Sequence, residues 1–186
     1  MGKLDKKVFG LRMQQAKSAF HGFDTMLHIE KPSCVIELGT GYGGLAVILA
    51  LCCKDIGCTF HTFEKYSEQV LYTGLLEALD VDLRFEDVFN NGGIADLIDT
   101  SGQVIVLCDN GNKPREFNWY AKLIKPFDII MVHDFYMSME QFNIDKPNIC
   151  CEVTLDDIDT SDLDRVYSGL FTPDTAWGCW RKLGKR

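Results

Sequence analysis

Apolar positions change period repeatedly along the chain. Val35, Ile36 and Leu38, "CTFHTFE" (58–64), "QVIVLCD" (103–109) and "FDIIMVHD" (127–134) are short apolar runs of strand length. "VDLRFED" (81–87) alternates strictly through Val81, Leu83 and Phe85, as a half-buried strand does. Between these runs, residues 45–53, 67–79, 91–99 and 113–124 carry apolar residues at helical spacing. Strand and helix thus alternate along the chain, which predicts an α/β fold with a doubly wound, mostly parallel sheet and helices on both faces. Upstream, Val8, Leu11, Met13, Ala16, Ala19, Phe20, Phe23, Met26 and Leu27 suit one or two amphipathic helices, giving a helical segment over 1–30. Downstream, 164–171 and 176–183 read as two strands around "TPDT", an antiparallel hairpin that brings the sheet to seven strands. "EVTLDDIDTSDL" (152–163) suits a helix. Trp119 and Tyr120, in mid-helix, are expected in the core; of Trp177 and Trp180, one should face the core and one not.

The length of 186 residues, with no Ser- or Pro-rich linker, suits one domain over 1–186, and 46% hydrophobic residues suffice for a sizeable core. A net charge of −8 argues against binding long nucleic acid, since phosphates are neutralised by clustered Lys and Arg, and the N/D-P-P-Y/F motif of nucleic-acid methylation is missing. The eight cysteines form no C-x-x-C pair and follow no apolar leader, so they read as free thiols in a reducing, cytoplasmic setting. No apolar run reaches the roughly 18 residues that suggest a membrane span.

In open α/β sheets, ligands sit beyond the carboxyl ends of the strands. Those ends carry Glu37 with Gly39–Gly44, then Glu64, Asp87, Asp109 with Asn110, and His133 with Asp134. Asp and Asn also cap helices and favour turns, but recurrence of acids along one sheet edge points to a site. "GTGYGG" satisfies G-x-G-x-x-G at 39, 41 and 44, and Glu64 follows Gly44 by about twenty residues, so a dinucleotide fingerprint is also matched. Glu37 favours another ligand. A carboxylate two residues before the first glycine repels a pyrophosphate and attracts an ammonium. Asp87 is placed to accept from the exocyclic amine of a purine. A ligand with a ribose, an adenine, a cationic group and no phosphate fits both.

With Glu37, Gly39, Gly41 and Gly43 in an E-x-G-x-G-x-G pattern, followed by Glu64, Asp87 and a closing hairpin, residues 33–183 resemble the Rossmann-like class I methyltransferases that use S-adenosylmethionine (SAM). The resemblance implies cofactor contacts from Glu37, Gly39, Thr40, Gly41, Tyr42, Gly43, Glu64, Lys65, Asp87, Val88 and Asp109. Residues 104–135 are similar to a small subgroup, met in phage and bacteria, related to macrocin O-methyltransferase and the cephalosporin-hydroxylase-like proteins. That implies methylation of a small-molecule or sugar hydroxyl and self-association into a homo-oligomer; Asp109, Lys113, His133 and Asp134 are the catalytic candidates at this edge. Metal-dependent members of such families bind Mg2+ through an Asp after the fourth strand and an acidic pair after the fifth. Here Asp109 and Asp134 match, while His133 replaces the other acid, so Mg2+ or another divalent metal on Asp109, Asp134 and His133 is in doubt.

Two roles fit His133: a general base toward the acceptor hydroxyl, or a structural partner of Asp109. Lys113 can orient an anionic acceptor, pair with Asp109, or simply be solvated. Phe135, Tyr136, Met137 and Met139 can line an acceptor pocket or pack in the core, and 135–163 is the expected acceptor-side segment. His21, His28 and His61 show no ligand spacing. A SAM-binding protein without methyl transfer and an NAD-dependent oxidoreductase are the alternative readings.

Overall fold

The computed structural model describes residues 6–8, 10–90, 92–145, 147, 150–171 and 173–184. A hairpin of β1 (Lys6–Val8) and β2 (Leu11–Met13) precedes α1 (Ser18–Glu30). There follow β3 (Cys34–Leu38), α2 (Gly44–Ile56), β4 (Thr59–Glu64), α3 (Thr73–Ala78), β5 (Asp82–Phe85), α4 (Gly92–Thr100) and β6 (Val104–Cys108). The rest is α5 (Lys113–Tyr120), β7 (Ile129–Val132), α6 (Met139–Asp145), β8 (Leu163–Arg165) and β9 (Gly178–Lys182). One seven-stranded sheet runs β5-β4-β3-β6-β7-β9-β8. Strands β3 to β7 are parallel, and β9 is antiparallel to both of its neighbours. This is the expected doubly wound, mostly parallel sheet. Strand order reverses between β3 and β6, which opens a crevice at their carboxyl ends.

Strands β3, β6 and β7 are buried along their whole length because helices cover both faces. Phe23, Val35, Leu49, Leu107 and Trp177 belong to one core, and Ile36, Leu38, Val106, Phe117 and Trp180 to the other. Trp177 and Trp180 are therefore both buried, correcting the expectation that only one would be: each meets a packed face. Phe23 packs edge-on to Trp177 at 5.3 Å, and Phe117 and Phe135 pack on Trp180 at 5.1 Å.

Other departures have local causes. The N-terminal segment is not all helix: Gly10, at φ +81°, lies between β1 and β2, and Met13 packs on Ile48 of α2. The helix expected over 67–79 breaks into a 3-10 turn (Ser67–Gln69) and α3, because Leu71 N donates to Tyr42 O at 3.1 Å and holds that stretch out of the helix. Within 152–163 the helical part is a 3-10 turn at Leu155–Asp157. Helix α5 ends at Tyr120 rather than 124, and the first hairpin strand is only Leu163–Arg165, because Phe171 turns inward onto Gly22 and Phe23. Tyr120 is buried as expected, but Trp119 is 49% exposed, on the outward face of α5 beside Phe89.

Candidate functional site at the carboxyl edge of the sheet

The loop after β3 takes a path that glycine permits. Gly39, Gly41 and Gly43 have φ of +99°, +54° and +84°, in the left-handed half of the map. Gly39 also lies against the next strand end, where a Cβ would stand 2.5 Å from the Asp109 carbonyl oxygen. Beneath this loop Glu37 is 1% exposed and accepts from Thr62 Oγ1 at 2.6 Å, and Thr62 Oγ1 lies 2.7 Å from Thr40 Oγ1. Burial pushes the Glu37 carboxyl up to about 8, partly offset by the Thr62 hydrogen bond, with Asp109 and Glu64 adding to the rise.

Glu64, at the end of β4, folds back onto the glycine loop. Its carboxylate accepts from Gly41 N at 2.9 Å, Lys65 N at 2.8 Å and Tyr66 N at 3.2 Å. Asp87, after β5, accepts from Phe89 N at 3.0 Å and Lys65 Nζ at 3.1 Å. Val88 is buried, and its carbonyl accepts from the Tyr120 hydroxyl at 2.5 Å. Tyr42 lies under the Arg12 guanidinium, 4.2 Å from its ring centre.

The ends of β6 and β7 bring a second group together. Those strands are neighbours in register, Cys108 opposite Val132, so Asp109 and His133 come to lie side by side. His133 Nδ1 is 2.9 Å from Asp109 Oδ1 and 3.6 Å from Asp134 Oδ1. The imidazole lies 4.8 Å, ring centre to ring centre, from Trp177. Burial by itself would lower its pKa, but Asp109 and Asp134 together raise it above the ordinary value. Asp134 is left-handed at φ +54°, and its carbonyl accepts from Glu152 N and Val153 N. Lys113 is buried, with Nζ 2.7 Å from Glu152, 3.1 Å from Asp134 and 3.9 Å from Asp109. Burial opposes its charge, yet the three carboxylates outweigh it and hold Lys113 above the usual lysine range.

The structure thus gathers Asp109, Lys113, His133 and Asp134 into one cluster, next to Glu37 and the glycines, with Glu64, Lys65 and Asp87 further along the same edge. Phe135 and Tyr136 are core residues, while Met137 and Met139 are exposed.

Several members were not read from the sequence. Gln15 Nε2 donates to Asp109 Oδ2 at 2.6 Å, and nothing in its neighbourhood signals this. Glu152 sits in a stretch read as helix. Glu116 had a legible cue, four residues after Asn112 in the first turn of a helix. It accepts from Asn110 N and Asn112 N, and burial raises its carboxyl to about 7. Asn112 caps α5 by accepting from Arg115 N at 3.2 Å. Asn112→Ala is expected to cost about 1 kcal/mol in urea denaturation, the usual loss for an N-cap.

Residues Leu11–Gln15 form a strap across the glycine loop. Arg12 N donates to the Tyr72 hydroxyl at 2.7 Å, and a Cβ on Gly44 would stand 2.2 Å from Arg12 O. Between strap and loop is a cavity of about 20 Å³ lined by Met13, Gln14, Gln15, Gly39–Leu45 and Asp109. It is too small to enclose a nucleoside. A larger cavity, about 210 Å³, lies by Asn118, Asp159 and Lys182, away from this cluster. The eight cysteines are free, and among the described residues no helix is long and apolar enough to cross a membrane.

No family model matches the sequence, and no curated protein matches it either. Solved structures do resemble it. A structure of CmcI in its apo form is 15% identical, with a TM-score of 0.71 over 97% of this chain and 77% of that one. A CmcI structure with Mg-SAM is 16% identical, with a TM-score of 0.70 over 96% and 77%. The O-methyltransferase TomG from Streptomyces achromogenes, involved in tomaymycin synthesis and in complex with SAM, is 14% identical, with a TM-score of 0.59 over 95% and 84%. The chain therefore has the Rossmann-like α/β fold shared by these proteins.

Proposed function

We propose that the chain is a SAM-dependent methyltransferase acting on a hydroxyl oxygen of a small molecule. The observation that carries this reading is Glu37, an almost fully buried carboxyl at the end of β3 directly beneath a glycine loop. The ammonium of an amino acid would be held there by ionising this carboxyl, whereas a pyrophosphate would gain no partner from it. The fold shared with TomG, an O-methyltransferase in complex with SAM, supports the same ligand and transfer to oxygen.

The residues present fit SAM. Glu37 is its ammonium partner, Glu64 the ribose partner in exchange for a backbone contact, and Asp87 the partner of the adenine amine. The space that a Cβ at Gly39 would fill keeps the loop close to Asp109. When bound, SAM would supply a methyl group on a sulfonium for direct transfer to the acceptor oxygen. Little acid–base work is needed on the donor side, and holding donor and acceptor in line supplies about 7–11 kcal/mol in favourable cases. On the acceptor side, the neutral form of His133 is the one that can act: with Nδ1 donating to Asp109 Oδ1, Nε2 is left to take a proton from the acceptor hydroxyl. Met137 and Met139 belong to the 135–163 segment, which we assign to the acceptor side.

A divalent metal is a different matter. Asp109, His133 and Asp134 each offer an atom within 4.8 Å of the others. With the Lys113 ammonium set among the same carboxylates, however, the group does not fit a second, doubly charged cation.

Melting curves test the cofactor. SAM and S-adenosylhomocysteine at about 100 times their Kd should each stabilise by about 2.7 kcal/mol, a rise of about 5–11 °C for a chain this long, and NAD should have no effect. A rise with NAD alone would make the chain an oxidoreductase. Binding without release of S-adenosylhomocysteine from any hydroxylated acceptor would leave it a SAM-binding protein.

A further inference from the structure

We infer that Lys113 takes the place of a divalent metal in this site: its ammonium is the cation that the carboxylates at the ends of β6 and β7 hold. Three acids converge on it. Glu152 accepts a hydrogen bond at 2.7 Å, Asp134 lies at 3.1 Å and Asp109 at 3.9 Å. A metal ion held by Asp109 and Asp134 would need oxygens at about 2.0–2.6 Å, in the gap these two residues share with Nζ.

Other contacts point the same way. Both Asp109 oxygens are already engaged, Oδ2 by Gln15 and Oδ1 by His133. The residue before Asp134 is an imidazole, which draws hard cations less than a carboxylate would. Lys113 cannot easily swing away, because its stem is buried and its position is set by the first turn of α5, which Asn112 caps and Glu116 ties to the preceding loop.

The chemical consequence rests on the methyl-transfer reading. A lysine has three N–H groups, and one is engaged by Glu152. Lys113 is then a positioning residue that can offer another to the acceptor oxygen. As that oxygen loses its proton to His133 and develops negative charge, the ammonium stabilises it as a metal would, without an exchangeable ion. Metal exclusion itself does not depend on that reading.

The test uses the full chain and Mn2+ as the probe, with free ion followed by electron paramagnetic resonance. The wild type should bind no stoichiometric Mn2+. Lys113→Met, neutral and similar in length, should open the carboxylate ring and tighten Mn2+ binding by about tenfold or more, since affinity follows the net charge of the ligand set. Adding Asp134→Asn to Lys113→Met should remove that site again. One equivalent of Mn2+ on the wild type, lost in Asp134→Asn, would overturn the inference. So would a folded Lys113→Met that gains no Mn2+. If Lys113→Met does not fold, Lys113→Gln takes its place under the same criteria. S-adenosylhomocysteine melting shifts run in parallel separate the two readings. A shift together with wild-type Mn2+ binding removes only the lysine role, and no shift without Mn2+ binding removes only the methyl-transfer reading.

Discussion

Gly39→Ala should abolish S-adenosylhomocysteine binding and destabilise the fold by about 2–5 kcal/mol, the combined scale of overpacking and of a strained backbone. At φ +99° an alanine is strained wherever it stands. The new methyl group would meet the Asp109 carbonyl oxygen at 2.5 Å, its carbon at 2.7 Å and Asn110 Cα at 2.8 Å. These are backbone atoms and cannot rotate away. Nor can the strand ends easily part, since Asp109 N donates to Leu38 O at 2.8 Å and Gly39 N to Phe63 O at 2.8 Å. Gly57→Ala is the control. Gly57 has a similar φ of +73°, but nothing lies within 4 Å of its added Cβ. It should lose only the backbone term, about 1–2 kcal/mol, and keep its ligand. Urea denaturation and the melting shift with S-adenosylhomocysteine measure both variants. A folded Gly39→Ala that binds as well as the parent would mean that the loop is not the cofactor's seat.

Glu37→Gln should weaken SAM binding by about 10- to 100-fold, the scale of a lost charge-assisted hydrogen bond, and yet stabilise the empty protein at alkaline pH. The sign follows from burial. Glu37 titrates near 8 in the folded state against an ordinary value of 4.5. Between those values the folded protein keeps a proton that the unfolded chain has released. Its contribution to stability is therefore fully present below about pH 4.5 and is lost as pH rises to about 8. Glutamine has no such proton, so the variant should melt like the parent at acidic pH and above it at pH 8–9. SAM's ammonium requires the carboxylate, so binding to the parent at pH 7 should expel a proton. Calorimetry in buffers of different protonation enthalpy reads that release directly, and Glu37→Gln should show none. Equal proton release in both proteins would place the ammonium elsewhere.

Much of this site was legible because its signals are local. Glycines that must turn left-handed and acids that follow short apolar runs can be seen in one dimension, and the parallel sheet converts them into one edge. The juxtaposition of Asp109 with His133 followed from β6 and β7 being neighbours, which the alternation of elements implied. What stayed hidden depends on distant partners. Gln15 reaches Asp109 across 94 residues, and Glu152 reaches Lys113 across 39. The helix expected over 67–79 was broken by a bond from Leu71 to the Tyr42 carbonyl, a contact that no periodicity encodes. Trp177 and Trp180 were misread because a two-period rule presumes one wet face, and here each of them meets a packed core.

The strap across the glycine loop gives the cofactor a rival. Leu11–Gln15 rest on the surface that SAM would use, with Gln15 bonded to the same aspartate. In the empty protein the chain's own segment lies over part of that surface, although Gly41 and Tyr42 stay partly exposed. A measured dissociation constant is then a difference between two occupancies, the ligand's hold on the loop less the strap's. Affinity can thus be set from residues that never touch the cofactor. Substitutions at Tyr72, whose hydroxyl accepts from Arg12 N, tune it as surely as changes to the glycines themselves.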